Sequence, residues 1–241
     1  MFKIYKYENI DKTKLYKDKM HFNSTLYYDK NIFYKIPYYK DEEMVSKLVY
    51  LNNCNIRELI KILGIIKDGK ETVGYAFLNY NKNYCDLKSI QNRSLNNKYK
   101  DCKSLIKIFN KFLRYDICYF DCHLGNILIN LCTNDMKICD IDDIVISKDK
   151  NLKIDMLRCL ATLFVSYLYD IPKNDVSGLL RGNNYIFNSN GNINKYFSVL
   201  SSGYLIDFNY VLENLDLNLI EYEKEDMKPK LFELNKRRFR I

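Results

Sequence analysis

A chain of 241 residues with 47% apolar and 15% aromatic side chains has material for one large domain or two small lobes. That content excludes a disordered chain. A net charge of +8 favours anionic partners in general, but the positive residues are spread out, densest at Lys12, Lys14, Lys17 and Lys19 and in the tail Lys236, Arg237, Arg238 and Arg240. Neither stretch belongs to a nucleic-acid-binding module, so nucleic acid is not the expected partner. The eight Cys form no Cys-x-x-Cys pair, and only His21 and His123 could complete a zinc site, so zinc is not expected. Charge repeatedly interrupts Met1–Lys19, so no secretory signal is expected there, and reduced cysteines in the cytoplasm are the simplest reading.

Up to about Tyr80 the patterns favour short strands. Phe2–Tyr7 alternates apolar and polar residues; Ser24–Tyr28 and Asn31–Tyr38 are rich in Tyr, Ile and Phe and flank a turn at Asp29-Lys30. Asp41-Glu42-Glu43 opens a helix whose Met44, Leu48 and Leu51 share one face, with acidic residues at its favourable end. A second hairpin is expected from Gly64–Lys67 and Glu71–Tyr80 around Asp68-Gly69.

Beyond Tyr80 the character turns helical. Asp101–Arg114 puts Leu105, Ile108, Phe109, Phe112 and Leu113 on one stripe. Ile117–Phe120, Ile127–Asn130 and Lys137–Ile141 suit small strands framing a loop. Ile154–Tyr169 reads as a buried helix, too short and too charged to span a bilayer. From Asn174 to Glu225, helical segments alternate with Asn/Gly-rich turns.

The chemistry is concentrated in Tyr119–Asp143. Asp121 is a carboxylate at the end of an apolar strand, and Asn126 lies five residues on, directly before Ile127-Leu128-Ile129. A loop of that length can put a carboxylate and an amide oxygen on opposite sides of one small site. The carboxylate can orient an acceptor hydroxyl and accept its proton, and the amide oxygen can ligate Mg²⁺. Met136-Lys-Ile-Cys-Asp140-Ile-Asp142 is a second strand ending in a carboxylate, able to supply another metal ligand.

Asp121-x-His123-x-x-Asn126-Ile-Leu, followed by Ile138-x-Asp140, resembles the Asp-x-His-x-x-Asn and Asp-Phe-Gly-like motifs of the protein-kinase-like superfamily. The likeness is closest to its aminoglycoside and choline phosphotransferase branch. The resemblance implies an α+β, bilobal fold: a small antiparallel-sheet lobe with one helix over residues 1–80, and a larger, mainly helical lobe over 81–241. It implies ATP and Mg²⁺ as cofactors, Asp121 as the catalytic base, and His123 as the residue that orders the catalytic loop. Asn126 and Asp140 would hold Mg²⁺, with Asp142 as a rival ligand. Lys35, in Ile32-Phe-Tyr-Lys-Ile36, would hold the phosphates, paired with Glu43 or its competitor Glu42 on the next helix. Backbone groups at Leu78–Tyr80 would bond the adenine, and Asp155 would steady the catalytic loop from beneath.

The chain departs from the family in three ways. No Gly precedes Gly64, so the glycine-rich phosphate loop is missing, and Asn23, Ser24 or Thr25 would cover the phosphates. Asp142 replaces the Gly of Asp-Phe-Gly. The short run from Asp143 to the buried helix leaves no room for a regulatory activation loop. The expected activity is transfer of the ATP γ-phosphate to a hydroxyl of a small molecule or a protein, the acceptor being unidentified. The alternative is a pseudokinase that binds a nucleotide or partner without turnover.

Overall fold

The computed structural model describes residues 2–16, 24–39, 42–171, 213–214 and 216–224. Strands β1 (Lys3–Lys6), β2 (Ser24–Asp29) and β3 (Ile32–Pro37) precede helix α1 (Met44–Cys54). Strands β4 (Ile62–Asp68), β5 (Glu71–Leu78) and β6 (Cys85–Asp86) follow, then helix α2 (Leu95–Arg114). Short strands β7 (Ile117–Tyr119), β8 (Ile127–Ile129), β9 (Met136–Ile138) and β10 (Ile144–Ile146) lead to helix α3 (Lys150–Tyr169). The protein is thus mixed α and β, and among the described residues no helix is long and apolar enough to cross a membrane. The chain divides into two compact units, residues 1–86 with 127–142 and residues 87–126 with 143–241. A single boundary at residue 80 does not describe this division, because the chain returns to the first unit for β8 and β9.

In the first unit, five strands form one sheet in the order β1-β4-β5-β3-β2. Two hairpins build it, with Asp29 opposite Ile32 and Asp68 opposite Glu71. The loop residues are therefore Lys30-Asn31 and Gly69-Lys70, one position beyond the dipeptides picked out by sequence. Lys30 and Gly69 take the positive φ values of 52° and 57° that such tight loops require. The sheet is not wholly antiparallel, as expected, because β1 runs parallel to β4. An alternating strand reads the same in both directions, and only the long crossover through α1 sets the direction of β1. Helix α1 buries Met44, Leu48 and Leu51, the stripe visible in the sequence.

Strands β6, β8 and β9 form a second, antiparallel sheet in this unit. The segment after α1 holds β9 in place: the Ile138 N–H donates to the Glu58 carbonyl at 2.7 Å, and the Ile60 N–H to the Ile138 carbonyl at 3.1 Å. Asp135, just before β9, accepts from Arg57 at 2.7 Å and from the Tyr84 hydroxyl at 2.6 Å. Burial would raise the Asp135 carboxyl, but bonds from Tyr84, Arg57 and Lys137 hold it down at about 2.

In the second unit, α2 packs on α3 and on β7, and β7 pairs antiparallel with β10. Leu105, Ile108, Phe109 and Phe112 are buried as expected, whereas Leu113 is half-buried and Ile106 joins the core instead. Helix α2 begins at Leu95 rather than Asp101; its first turn carries Asn96 and Asn97, poor helix formers that conceal the start. Helix α3 begins at Lys150, where the Asp149 side chain accepts from the Asn151 N–H at 2.8 Å. Its Asp155 is exposed and pairs with Arg158 at 2.9 Å, so the expected support of the catalytic loop by Asp155 is corrected to a surface pair. The polar seam between α2 and the end of α3 consists of buried Lys98 paired with Asp170, and Asp101 accepting from Arg93 and from the Tyr167 hydroxyl at 2.8 Å. Most of the helical alternation expected over Asn174–Glu225 lies outside the described residues, as do Lys17, Lys19 and the basic tail; residues 217–224 are helical.

Candidate active site

Asp121 stands two residues beyond β7, whose last residue, Tyr119, is fully buried and packs edge-on against Phe112 with ring centres 6.5 Å apart. The chain leaves the core there and closes a small loop. The Asn126 side-chain N–H₂ donates to Asp121 Oδ2 at 2.6 Å and to the Asp121 carbonyl at 3.1 Å. Asp121 and Asn126 thus bond to each other instead of standing on opposite sides of a site. Since the amide donates through Nδ2, its Oδ1 is the end able to ligate a cation.

His123 belongs to the same loop. Its Nδ1 accepts the Gly125 N–H at 3.1 Å, which assigns the ring proton to Nε2, and Nε2 lies 3.5 Å from Asp121 Oδ2. A side chain at Gly125 would stand 3.0 Å from the imidazole, so the ring occupies the space that glycine leaves. Asn126 N–H bonds the His123 carbonyl at 3.0 Å, completing one tight turn over Leu124–Asn126. These bonds join residues at most five positions apart.

The second set lies in the first unit and is assembled from distant segments. Lys35 on β3 is 6% exposed, and its ammonium donates to Asp140 Oδ1 at 2.5 Å and contacts Asp142 Oδ2 at 2.7 Å. Burial alone would push the ammonium down; the Asp142 and Asp140 carboxylates outweigh it and hold Lys35 above its ordinary value. Asp140 follows β9 by two residues and adopts φ +57°, a left-handed conformation uncommon outside glycine.

Two further side chains fix Asp142, and neither stood out in the sequence. The Tyr75 hydroxyl donates to Asp142 Oδ1 at 2.7 Å, and the Lys47 ammonium donates to the Asp142 carbonyl at 2.7 Å. Tyr75 is 1% exposed and lies directly opposite Lys35 in the register of β5 and β3, which puts both side chains on one face of the sheet. That register depends on Gly74, where a Cβ would overlap the Lys35 carbonyl oxygen. Tyr75 could have been found only by pairing the two strands; its spacing from other residues carries no signal.

The remaining expected residues fall elsewhere. Glu43 caps the start of α1, and its carbonyl accepts from Ser46 and Lys47; the partners of Lys35 are Asp140 and Asp142, not Glu43. The Leu78 N–H donates to Lys61 and the Asn79 N–H to Asn31, so the sheet already uses these backbone donors. The Tyr80 hydroxyl accepts from the Lys61 N–H at 3.3 Å, and its ring packs edge-on against Tyr84. Ser24 begins β2 and is buried, Thr25 lies within β2, and His21 and Asn23 lie outside the described residues.

The donor chemistry suits Mg²⁺. Asp140 and Asp142 face the Lys35 ammonium, and the Lys47 ammonium reaches the Asp142 carbonyl, so the charges of this set balance, and all its acceptors are hard oxygens. Among the described residues no group of three or more His, Cys, Asp or Glu side chains converges as a metal cluster. Mg²⁺ needs few protein ligands, since it keeps water and phosphate oxygens in its shell. A scan against protein-family models and a search of curated proteins return no match to this chain.

Proposed function

We propose that this protein is a kinase-like phosphotransferase that moves the γ-phosphate of ATP to a hydroxyl, with a small molecule as the expected acceptor and a protein as the less favoured one. The observation that carries the proposal is the buried Lys35 ammonium held between Asp140 and Asp142. Burying the Lys35 ammonium against two half-buried carboxylates is costly and gains little stability over an apolar core, so such a set is best explained by use. Phosphoryl transfer needs this kind of equipment: a fixed cation for phosphate oxygens and carboxylates for a metal.

In this reading Lys35 binds phosphate oxygens, and carboxylates of the Asp140–Asp142 loop would hold Mg²⁺. The bound ion would neutralise charge on the transferring phosphate. Asp121 orients the acceptor hydroxyl and takes its proton; the Asn126 amide and the His123 ring keep its carboxylate in one orientation. His123 acts through Asp121 and is a positioning residue.

The test is transfer of label from γ-labelled ATP to a pool of cell metabolites, and to the protein itself, with and without Mg²⁺. The expected result is Mg²⁺-dependent labelling of a hydroxyl compound, reduced about a thousandfold in Asp121→Asn while ATP still binds. Full activity in Asp121→Asn would remove Asp121 as the base. ATP binding without turnover in the native protein would replace the enzyme by a nucleotide-binding module.

A further inference from the structure

The two carboxylates beside Lys35 differ in what holds them. Asp140 has Lys35 as its side-chain partner and takes a left-handed φ of +57°. Asp142 is held from three directions: Lys35 at one oxygen, the buried Tyr75 hydroxyl at the other, and Lys47 of α1 at its carbonyl. An oxygen that accepts a buried phenol and one that accepts an ammonium are poorly available to a metal. They are well suited to fixing a lysine.

We propose that Asp142, braced by Tyr75, is the positioning residue that aims Lys35 at the phosphates, and that Asp140 is the carboxylate of this loop that ligates the metal. This inference rests on the phosphotransferase reading and refines it. It moves the acid that orients the lysine from the helix, where Glu43 was expected, to the loop after β9. The helix is still used, but with reversed charge: α1 offers Lys47 to the Asp142 backbone where the resemblance would have placed a Glu. The register adds a second, independent reason. Tyr75 is the cross-strand partner of Lys35, so one strand pair delivers both the lysine and the group that braces its acid.

The roles separate in calorimetric titrations of ATP, once with a chelator and once with Mg²⁺, on the native chain, Asp140→Asn, Asp142→Asn, Tyr75→Phe, Lys35→Met and Tyr75→Phe/Lys35→Met. Melting curves without ligand check that each variant is folded. Asp140→Asn is expected to lose the gain in affinity that Mg²⁺ brings, whereas Asp142→Asn and Tyr75→Phe keep it. Tyr75→Phe, which changes no charge and leaves the ring in place, is expected to weaken metal-free ATP binding about fivefold. In the Lys35→Met background the same substitution is expected to have no effect, because its influence runs through the lysine.

If Asp142→Asn loses the Mg²⁺ gain as Asp140→Asn does, the inference is overturned while the phosphotransferase reading stands. The same holds if Tyr75→Phe costs as much with Met at position 35 as with Lys. Should Asp142→Asn fail to fold, the Tyr75→Phe pair alone decides the matter. A native chain that binds ATP in neither buffer overturns the parent reading and this inference together.

Discussion

The two candidate sets are built on opposite plans. Asp121, His123, Gly125 and Asn126 lie in one turn, and the bonds that join them to one another span at most five positions. Lys35, Tyr75, Asp140 and Asp142 come from two neighbouring strands and a loop, with Lys35 and Asp140 separated by 105 positions. The first set depends on local chain stiffness and on one small residue. The second depends on strand register, on a helix contact and on the fold of the whole first unit. A local set can be damaged without harm to the fold; a dispersed, charged and buried one cannot.

The sharpest way to break the contrast is Lys35→Met. It leaves Asp140 and Asp142 facing each other with their cation removed, and is expected to cost about 3 kcal/mol of unfolding free energy. Denaturant titration measures it, and hydrogen exchange should quicken across β3, β5 and β9 together. The pH dependence has a defined sign. Lys35 titrates above its ordinary value of 10.5 in the fold, so its contribution is complete below about pH 10.5 and fades as pH rises through the higher folded value. Lys35→Met should flatten that alkaline decline.

Gly74→Ala comes next. A methyl group would meet the Lys35 carbonyl and force β3 from β5, for an expected loss of about 2 kcal/mol, read in the same titration. Nearly as large an effect on the local set would make the two plans alike. Asn126→Ala tests this directly: removing the amide from Asp121 should cost about 1.5 kcal/mol, with exchange changes confined to residues 121–126. The smallest expected effect is Gly125→Ala. Its Cβ displaces the His123 ring by a few tenths of an ångström, costing about 0.5 kcal/mol and shifting the imidazole resonances in NMR spectra.

The contrast also explains what could be read early. The stripe Met44, Leu48 and Leu51, the apolar face of α2 and the burial of α3 follow from periodicity, and all three are present. The hairpins were visible in their turn residues, to within one position. The direction of β1 and the return of residues 127–142 to the first unit were not, because each depends on partners far along the chain, and the first turns of α2 and α3 were concealed by polar residues that carry no apolar periodicity.

Within the candidate site the same line holds. The sequence by itself marked Asp121, His123 and Asn126 as one short loop, because they lie within six positions, but the expected placing of carboxylate and amide on opposite sides of a site gives way to a direct bond between them. It also marked Lys35, Asp140 and Asp142 as separate candidates. Only the tertiary structure decided that the lysine pairs with both loop carboxylates and not with Glu43, and that Tyr75 braces one of them. Opposite charges attract at any sequence separation, and which pair meets is set by the register of β3 on β5 and the anchoring of β9, neither of which any short motif encodes.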